Sequence, residues 1–248
     1  MRQQRGYMRA SWVLAAILLA LPSIAYAAPG LDDVVYGATV EPGKSEIEMR
    51  YGRLTGGRAD GEDAFVLEAA HGISSRFYGA ALATFEREPD RSRRLETIAV
   101  EGIYTLGRIK GLDVDTAVYG EVEHGIHGPD NLETKLLLER RKGPFDSRLN
   151  LIAERALTSG APVEFSYGAS ADYDIADDIS LGAEAFGDLC TSHKITTRSE
   201  HFVGPAVKVG LDHAGPGELE LRASYLFAVD RARDESKGQL RFGLEYEF

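Results

Sequence analysis

The sequence predicts an all-β fold, a transmembrane up-and-down antiparallel β-barrel of about twelve strands, within a range of roughly 10–14. Three observations predict it: apolar and polar residues alternate with a period of two, the alternating segments are long, and the connections alternate between short and long. A period of two is typical of a strand, whereas an amphipathic helix would place apolar residues at i, i+3 and i+4.

The alternation is clear in the stretch VEFSYGASADYDI, where Val163, Phe165 and Tyr167 are separated by Glu164 and Ser166. Turn residues divide the chain into about twelve such segments, most of them about 9–13 residues long. Ordinary strands average about 5–6 residues, whereas a strand that crosses a bilayer needs about 9–11. The segments run roughly over residues 44–53, 63–72, 76–87, 94–106, 112–123, 131–141, 145–156, 163–175, 179–187, 201–211, 218–229 and 238–248.

The connections between these segments fall into two alternating sets. One set is short and turn-like: GISSR, GRIKG, RKGP, IADDI and HAGPG. The other set is generally longer and more polar: RLTGGRADGE, REPDRSRR, HGIHGPD, LTSGAP, DLCTSHKITTRSE and DRARDESKG. Short turns on one side and longer loops on the other are typical of a barrel in an outer membrane.

The amino-terminal residues have the organisation of a secretory signal peptide. Arginines without acids are followed by a short apolar run and by the small-x-small pattern Ala25-Tyr26-Ala27. The apolar run is too short for a helix that crosses a bilayer. We therefore predict a cleaved signal peptide over residues 1–27, a short periplasmic segment over 28–43 and the barrel over 44–248.

The composition narrows the classes of function. The net charge of −11 at pH 7 makes a nucleic-acid partner a poor expectation, because a phosphate backbone attracts basic surfaces. Cys190 is the single cysteine of the sequence, so no disulfide can form within the chain. No stretch after the signal peptide approaches 18 apolar residues, which argues against a transmembrane helix.

Alternation alone does not assign the two faces of the strands. A membrane barrel turns its apolar face to lipid and its polar face to the lumen, whereas a soluble sandwich buries the apolar face. The long segments, the aromatic residues near segment ends and the heavily charged polar face favour the membrane barrel.

The last eight residues, RFGLEYEF, carry a further pattern. Arg241, Gly243, Tyr246 and Phe248 occupy the spacing of a polar residue, a glycine and two aromatic residues at the third-last and last positions. This ending resembles the C-terminal assembly signal of bacterial outer-membrane β-barrel proteins. The resemblance implies insertion by the barrel assembly machinery, and with it a location among the lipids of the outer membrane of a Gram-negative-type bacterium.

The polar face holds more carboxylates than basic groups, and acidic rings favour cations over anions. The sequence therefore predicts a passive, narrow, porin-like channel for cations or small cationic solutes. The expected carboxylates are Glu68, Glu101, Asp113, Asp115, Glu121, Glu133, Glu139, Asp146, Glu184, Glu220 and Glu245. The expected basic partners are Lys135, Arg148, Lys208, Arg222 and Arg241.

Two alternatives to a channel stay open. Eight strands leave an interior that side chains can fill and about 16–18 leave an aqueous channel, so a barrel of about twelve could be closed by ion pairs. Such a barrel would have a structural or surface-binding role. The other alternative is an outer-membrane hydrolase, but Ser192 and His193 are neighbours and no Ser/His/acid set follows from the spacing.

No catalytic residue, cofactor or metal site is assigned from the sequence. Imidazole and carboxylate groups near each other could hold Zn²⁺, Cu²⁺ or Ni²⁺, and one loop offers Glu121, Glu123, His124, His127 and Asp130. The pair Cys190 and His193 supplies only two ligands. Both loops are better explained as solvated connections, because His-x-x-His is a common spacing.

Overall fold

The computed structural model describes residues 28–194 and 199–248, so the predicted signal peptide over residues 1–27 lies outside the described residues. Twelve strands and one short helix follow in chain order. The strands are β1 (Ser45–Thr55), β2 (Asp63–Ser74), β3 (Phe77–Arg87), β4 (Arg94–Ile109), β5 (Val114–Gly125), β6 (Asn131–Lys142), β7 (Phe145–Ala156), β8 (Glu164–Ala176), β9 (Ile179–Thr191), β10 (Glu200–Ala214), β11 (Gly217–Asp230) and β12 (Gly238–Glu247). The helix α1 (Ala232–Glu235) lies between β11 and β12.

Each strand pairs antiparallel with its neighbours in sequence, and β12 pairs with β1 to close the sheet into a barrel. At this seam Arg50 lies opposite Gly243, and Ser45 and Phe248 exchange backbone hydrogen bonds of 2.9 and 2.8 Å. The closed antiparallel barrel of twelve strands confirms the predicted fold class. Closure leaves no strand edge exposed, which satisfies the backbone of a sheet surrounded by lipid.

The two ends of the barrel differ in their connections. Tight turns join β2 to β3, β4 to β5, β6 to β7, β8 to β9 and β10 to β11, and we call this the short-turn end. Longer connections join the remaining consecutive pairs at the opposite end, the long-loop end. The barrel wall begins and ends at the short-turn end, because β1 starts there and β12 finishes there.

The outer wall of the barrel is a belt of exposed apolar side chains. Val100 is 61% exposed and Val122 is 52% exposed, although both lie in the middle of long strands. Others in the belt are Ile47, Met49, Leu67, Ile98, Val118, Leu136, Leu151, Leu181, Val203, Leu221 and Phe242. An apolar surface of this extent is unfavourable in water and suits a lipid environment. Within residues 28–194 and 199–248 no helix has the length and apolar character needed to cross a bilayer.

Residues 28–43 form a strand-free stretch that we call the luminal segment. The sequence predicts a periplasmic position for it, but the structure places residues 28–40 inside the barrel and leaves residues 41–43 exposed at the short-turn end. Leu31 and Val35 pack with inward-facing Leu54, Phe186 and Leu226. The difference has a physical reason: apolar residues also occur on the inner wall, and the segment covers them, so the barrel has a small internal core that alternation does not reveal.

A second apolar group lies inside the barrel closer to the short-turn end. Ala38 is fully buried against Ile103, Ala117, Tyr119 and Leu137. The luminal segment therefore runs along the lumen from the short-turn end, where it continues into β1, towards the long-loop end.

Candidate functional site: the acidic vestibule and the luminal segment

Dedicated side chains of the barrel wall hold the luminal segment. The Oδ1 atom of Asn150 on β7 accepts a hydrogen bond from the Tyr36 backbone N–H at 2.8 Å. Its Nδ2 atom donates to the Tyr36 carbonyl at 3.0 Å. One fully buried side chain thus satisfies both backbone groups of a residue that has no strand partner.

Anchors on other strands hold the segment above and below this point. The Ala38 N–H donates to Glu139 Oε2 of β6 at 2.8 Å, and the Thr105 hydroxyl of β4 donates to the Ala38 carbonyl at 3.1 Å. Near the long-loop end, Gln239 Nε2 of β12 donates to the Pro29 carbonyl at 2.9 Å. Because the anchors come from opposite parts of the wall, the segment crosses the interior and does not follow one strand.

An ion pair reinforces these anchors. Lys135 Nζ lies 2.6 Å from Asp33 Oδ1 and 3.1 Å from Glu133 Oε1, and its side chain is only 2% exposed. The ammonium also lies 4.7 Å from the Tyr119 ring centre and 5.0 Å from that of Tyr36, within the range of cation–π attraction. Two carboxylates and two aromatic faces therefore compensate the loss of water around this buried cation.

The substitution Asp33→Asn is expected to loosen the luminal segment, whereas Asp32→Asn is its matched control. Asparagine at position 33 weakens the contact with Lys135 and is expected to cost about 1–3 kcal/mol of docking free energy. The neighbouring Asp32 forms no ion pair among the described residues. The measurement is hydrogen exchange at the Tyr36 and Ala38 amides, both of which are bonded to the wall.

Exchange at these two amides should accelerate about fivefold or more in the Asp33→Asn variant, because 1 kcal/mol corresponds to a factor of about five. The Asp32→Asn variant should stay close to the unchanged protein. Equal exchange rates in the two variants would show that the Asp33–Lys135 pair does not hold the segment.

Beyond the luminal segment the interior widens into a cavity of about 620 Å³, which we call the acidic vestibule. The β5–β6 loop residues Gly128 and Pro129 line it, so it lies at the long-loop end, and Tyr36 and Lys135 line its inner part. Its described lining holds twelve carboxylates and two basic groups, Arg50 and Lys135. The carboxylates are Asp32, Asp33, Glu86, Glu96, Glu121, Glu123, Glu133, Glu154, Glu164, Asp188, Glu200 and Glu235.

Carboxylates also meet at one point of the long-loop rim. Burial, with additional repulsion from Glu88 and Glu235, raises the pKa of Glu62 in the β1–β2 connection. The repulsion from Glu88 and Glu235, although smaller than the effect of burial, indicates negative potential at this point of the rim. The arrangement can therefore attract cations and repel anions at this mouth of the barrel.

The carboxylates predicted from the sequence are distributed between the vestibule and the ion-paired part of the lumen. Glu121 and Glu133 line the vestibule. Glu101 lies deeper, where its Oε2 atom accepts hydrogen bonds from the Tyr119 hydroxyl at 2.7 Å and from the Tyr36 hydroxyl at 3.1 Å. The Tyr36 contact joins the luminal segment to the acidic wall.

Most of the remaining predicted residues form ion pairs nearer the short-turn end. The pairs and their N···O distances are Glu68–Arg50 at 2.9 Å, Glu139–Arg148 at 3.6 Å, Asp146–Arg148 at 2.9 Å, Glu184–Arg241 at 3.8 Å, Glu220–Arg222 at 2.8 Å and Asp172–Lys208 at 2.6 Å. Glu245 lies opposite Glu48 on β1 and Glu220 on β11. Most carboxylates in this part of the lumen are thus paired with a basic group, whereas Glu245 has carboxylates opposite it on both neighbouring strands.

Asp113 and Asp115 lie at the short-turn end. The sequence places Asp113 in a strand, but the residue has φ 58° and belongs to the turn before β5, where it is exposed and 3.3 Å from Arg108. An aspartate tolerates this left-handed conformation, and β5 begins at Val114, two residues later than the predicted segment over 112–123. Asp115 also pairs with Arg108, at 3.2 Å.

The sequence prediction omitted the central arginine of the lumen. Arg50 Nη1 lies 3.0 Å from Glu48, 2.9 Å from Glu68 and 3.2 Å from the Tyr36 hydroxyl. The sequence does contain a signal for Arg50: Glu48 and Arg50 alternate with apolar Met49, which places both charged side chains on the inner face of the strand. The roles of Asp33 and Tyr36 had no such signal, because they depend on the position of the luminal segment.

The C-terminal pattern divides between the two faces of β12. Arg241 contacts inward-facing Glu184, and Gly243 pairs with Arg50. The rings of Tyr246 and Phe248 stack with centres 5.7 Å apart, and Phe248 is exposed.

The loops considered for metal binding or catalysis show ordinary contacts. At the exposed end of β5, His124 Nδ1 lies 2.7 Å from Oδ1 of Asp130 in the following loop. No group of three metal-type ligands occurs within the part of the chain that the structure describes. Ser192 Oγ accepts a hydrogen bond from the Val163 N–H at 2.9 Å. Cys190 is half-buried and free.

Comparisons with known proteins find solved structures of similar fold. No protein-family model matches the chain, and no curated protein sequence matches it. The chain is similar to the KdgM porin solved in complex with disordered oligogalacturonate, with 12% identity, a TM-score of 0.54, and coverage of 82% of this chain and 98% of that one. The NanC porin gives 10% identity, a TM-score of 0.56 and coverage of 82% and 98%.

A third solved structure is the COG4313 outer membrane channel from Pseudomonas putida F1, with 11% identity, a TM-score of 0.55, and coverage of 84% of this chain and 96% of that one. At these identities the likeness concerns the fold. The chain therefore has the β-barrel fold of outer-membrane porins and channels.

Proposed function

We propose that this chain is an outer-membrane channel through which small cations or cationic solutes pass passively. The observation that carries the proposal is the acidic vestibule, with twelve carboxylates and two basic groups in its described lining. Carboxylates crowded around a partly enclosed space raise the local concentration of cations and disfavour anions. The volume of about 620 Å³ lies within the range of sites that hold small molecules.

The ion-paired part of the lumen then acts as a narrow section below the vestibule. Its charges largely neutralise one another, and the luminal segment occupies its centre. In this proposal selection occurs at the vestibule, and the luminal segment limits the size and rate of what passes.

The ligands of the similar porins do not indicate the solute of this chain. An oligogalacturonate, which the KdgM porin holds in one solved structure, carries carboxylates. The vestibule of the present chain is itself acidic and would repel such a molecule. The fold is shared with these porins, but the acidic lining supports transport of cations and not of anions.

The apolar belt supports the placement of the barrel in a membrane, and the C-terminal pattern supports insertion by the barrel assembly machinery. We include in the proposal export through a signal peptide over residues 1–27 and an outer-membrane location in a Gram-negative-type bacterium. Transport is favoured over hydrolysis. The Ser–His contact in the described ranges, Ser45 to His71 at 2.9 Å, lies on an exposed surface at the short-turn end, away from the vestibule.

The test is the reversal potential of the purified protein in a planar bilayer under a KCl gradient. The proposal expects measurable conductance with a preference for K⁺ that weakens as salt rises, because screening shortens the range of the carboxylates. A preference for Cl⁻ would contradict it.

A closed barrel is the second candidate, favoured by the anchors of the luminal segment. Absence of conductance both in the unchanged protein and in a variant without the segment would support a structural or surface-binding role in place of a channel.

A further inference from the structure

Three arginines lie side by side on the outer wall at the long-loop end. Strand pairing places Arg53 of β1 opposite Asp63 of β2, and Asp63 opposite Arg87 of β3. Arg93, in the β3–β4 connection, reaches the same row by its contact with Asp63. We call Arg53, Arg87 and Arg93 the arginine row.

One carboxylate, that of Asp63, forms ion pairs with two of the three arginines. The Asp63 side chain is fully buried, and it forms ion pairs with Arg87 and with Arg93, the latter at 2.7 Å. Arg53 forms no ion pair with any residue in the ranges 28–194 and 199–248. The row therefore carries an excess of two positive charges on a chain whose net charge is −11.

Aromatic rings lie directly beneath the arginine row. Tyr51, Phe65 and Phe85 are paired across β1, β2 and β3, two residues from the arginine row along each strand. The Arg93 guanidinium lies over this surface, 5.6 Å from the Tyr51 ring centre and 5.8 Å from that of Phe65.

Aromatic girdles mark the height at which acyl chains meet headgroups on a membrane barrel. The arginine row lies next to these rings on the side of the loops, and therefore at the height of the headgroups. The charge of a headgroup in that leaflet would face the row directly.

The arginines retain donors for a ligand. A guanidinium has five N–H groups, and Arg93 uses Nε and Nη2 on Asp63. The side chains of Arg87 and Arg93 are 33% and 39% exposed, so their remaining N–H groups are accessible. The planar guanidinium group matches the oxygens of a phosphate in a bidentate geometry, which makes arginine suited to phosphate recognition.

We propose that the arginine row binds the phosphate groups of a phosphorylated lipid in the leaflet at the long-loop end. The lipid's acyl chains would pack on the apolar belt below Tyr51 and Phe65, while its phosphates contact the guanidinium groups. The inference rests on the membrane placement of the barrel and is independent of whether the lumen conducts.

The test is native mass spectrometry of the full-length mature protein in a neutral detergent. The probe is an acylated glucosamine disaccharide that carries two phosphates, and the comparison lipid is the same molecule without phosphates. The variants are Arg53→Gln and the double variant Arg53→Gln with Arg93→Gln. The matched control is Arg91→Gln in the same connection, because Arg91 is exposed and pairs with Glu88 at 3.1 Å.

The expected result is retention of the phosphorylated lipid by the unchanged protein and by Arg91→Gln. Retention should fall about fivefold with Arg53→Gln and further with the double variant, in line with the contribution of one basic residue near anionic lipid. If the double variant does not fold, the single variant Arg53→Gln still tests the proposal, because Arg53 forms no ion pair within the described ranges that its loss would break.

Three outcomes would overturn the proposal. Equal retention of the lipid without phosphates would show that the apolar belt alone is responsible. Displacement of the lipid by millimolar inorganic phosphate would indicate a site for the free ion. A change from dimer to monomer in the Arg53→Gln variant would assign the row to contact between two copies of the chain.

Discussion

Removal of residues 29–40 is expected to raise the single-channel conductance of the barrel severalfold. The luminal segment makes contacts with β4, β6, β7 and β12 and occupies the interior of the ion-paired section. Without it, water and ions fill the space, and the wall keeps its complete set of strand pairings. The measurement is conductance in planar bilayers, and the variant keeps residues 1–28 so that the amino-terminal sequence is unchanged.

A point substitution tests the same contact without shortening the chain. A Cβ atom added at Gly52 would lie 2.0 Å from the Leu31 carbonyl oxygen, so Gly52→Ala must displace the segment. Gly210 is the matched control, because within the described ranges a Cβ atom added there has no neighbouring atom within 4 Å. Conductance should rise with Gly52→Ala and stay unchanged with Gly210→Ala. Unchanged conductance in both the deletion and Gly52→Ala would show that the segment does not limit the path.

Neutralisation of vestibule carboxylates is expected to reduce the preference for cations. The combined variant Glu123→Gln, Glu154→Gln and Glu164→Gln removes three charges from the lining while the side chains keep their size. The ratio of K⁺ to Cl⁻ permeability should fall about fivefold or more at 0.1 M salt, since unit charges about 4 Å apart interact by about 1 kcal/mol in water, which is a factor of about five. The effect should be smaller at 1 M salt, where the Debye length is only about 3 Å.

Three carboxylates at the short-turn end provide the control for charge number. Asp177 and Asp178 lie in the β8–β9 turn, and Asp212 is exposed near the end of β10. Their replacement by asparagine changes the net charge equally but leaves the vestibule intact. An equal loss of selectivity in the two triple variants would place the selective region elsewhere.

Much of the barrel wall could be predicted from the sequence, because each strand carries its own pattern. Period-two alternation and turn residues indicated all twelve strands, and the boundaries differ by a few residues. The segment predicted over residues 94–106 extends to Ile109 in β4, because a register shift at Gly107, with φ 116°, lets the strand continue past the expected turn. Bulges of this kind depend on the partner strand and leave little trace in local alternation.

The interior was less predictable. The alternation that places Glu121 and Glu133 on the polar face also places them in the vestibule. The contacts of the luminal segment join positions that no local pattern connects: Asp33 reaches Lys135, which lies 102 residues away along the chain. Its apolar residues Val34 and Val35 resemble those of many loops, and only the assembled wall shows what they cover.

The sequence separations of the segment's anchors have a consequence for the order of folding. Most wall pairings join strands that are consecutive in the chain, whereas the anchors of Ala38, Tyr36 and Pro29 span 101, 114 and 210 residues. Contacts between distant positions close larger loops and form later than local ones. The barrel is thus expected to form the pairings between consecutive strands before these anchors, whereas the β1–β12 seam, which joins Glu46 to Glu247, closes late as well. Its innermost residues are among the first to be synthesised and would be among the last to reach their native positions.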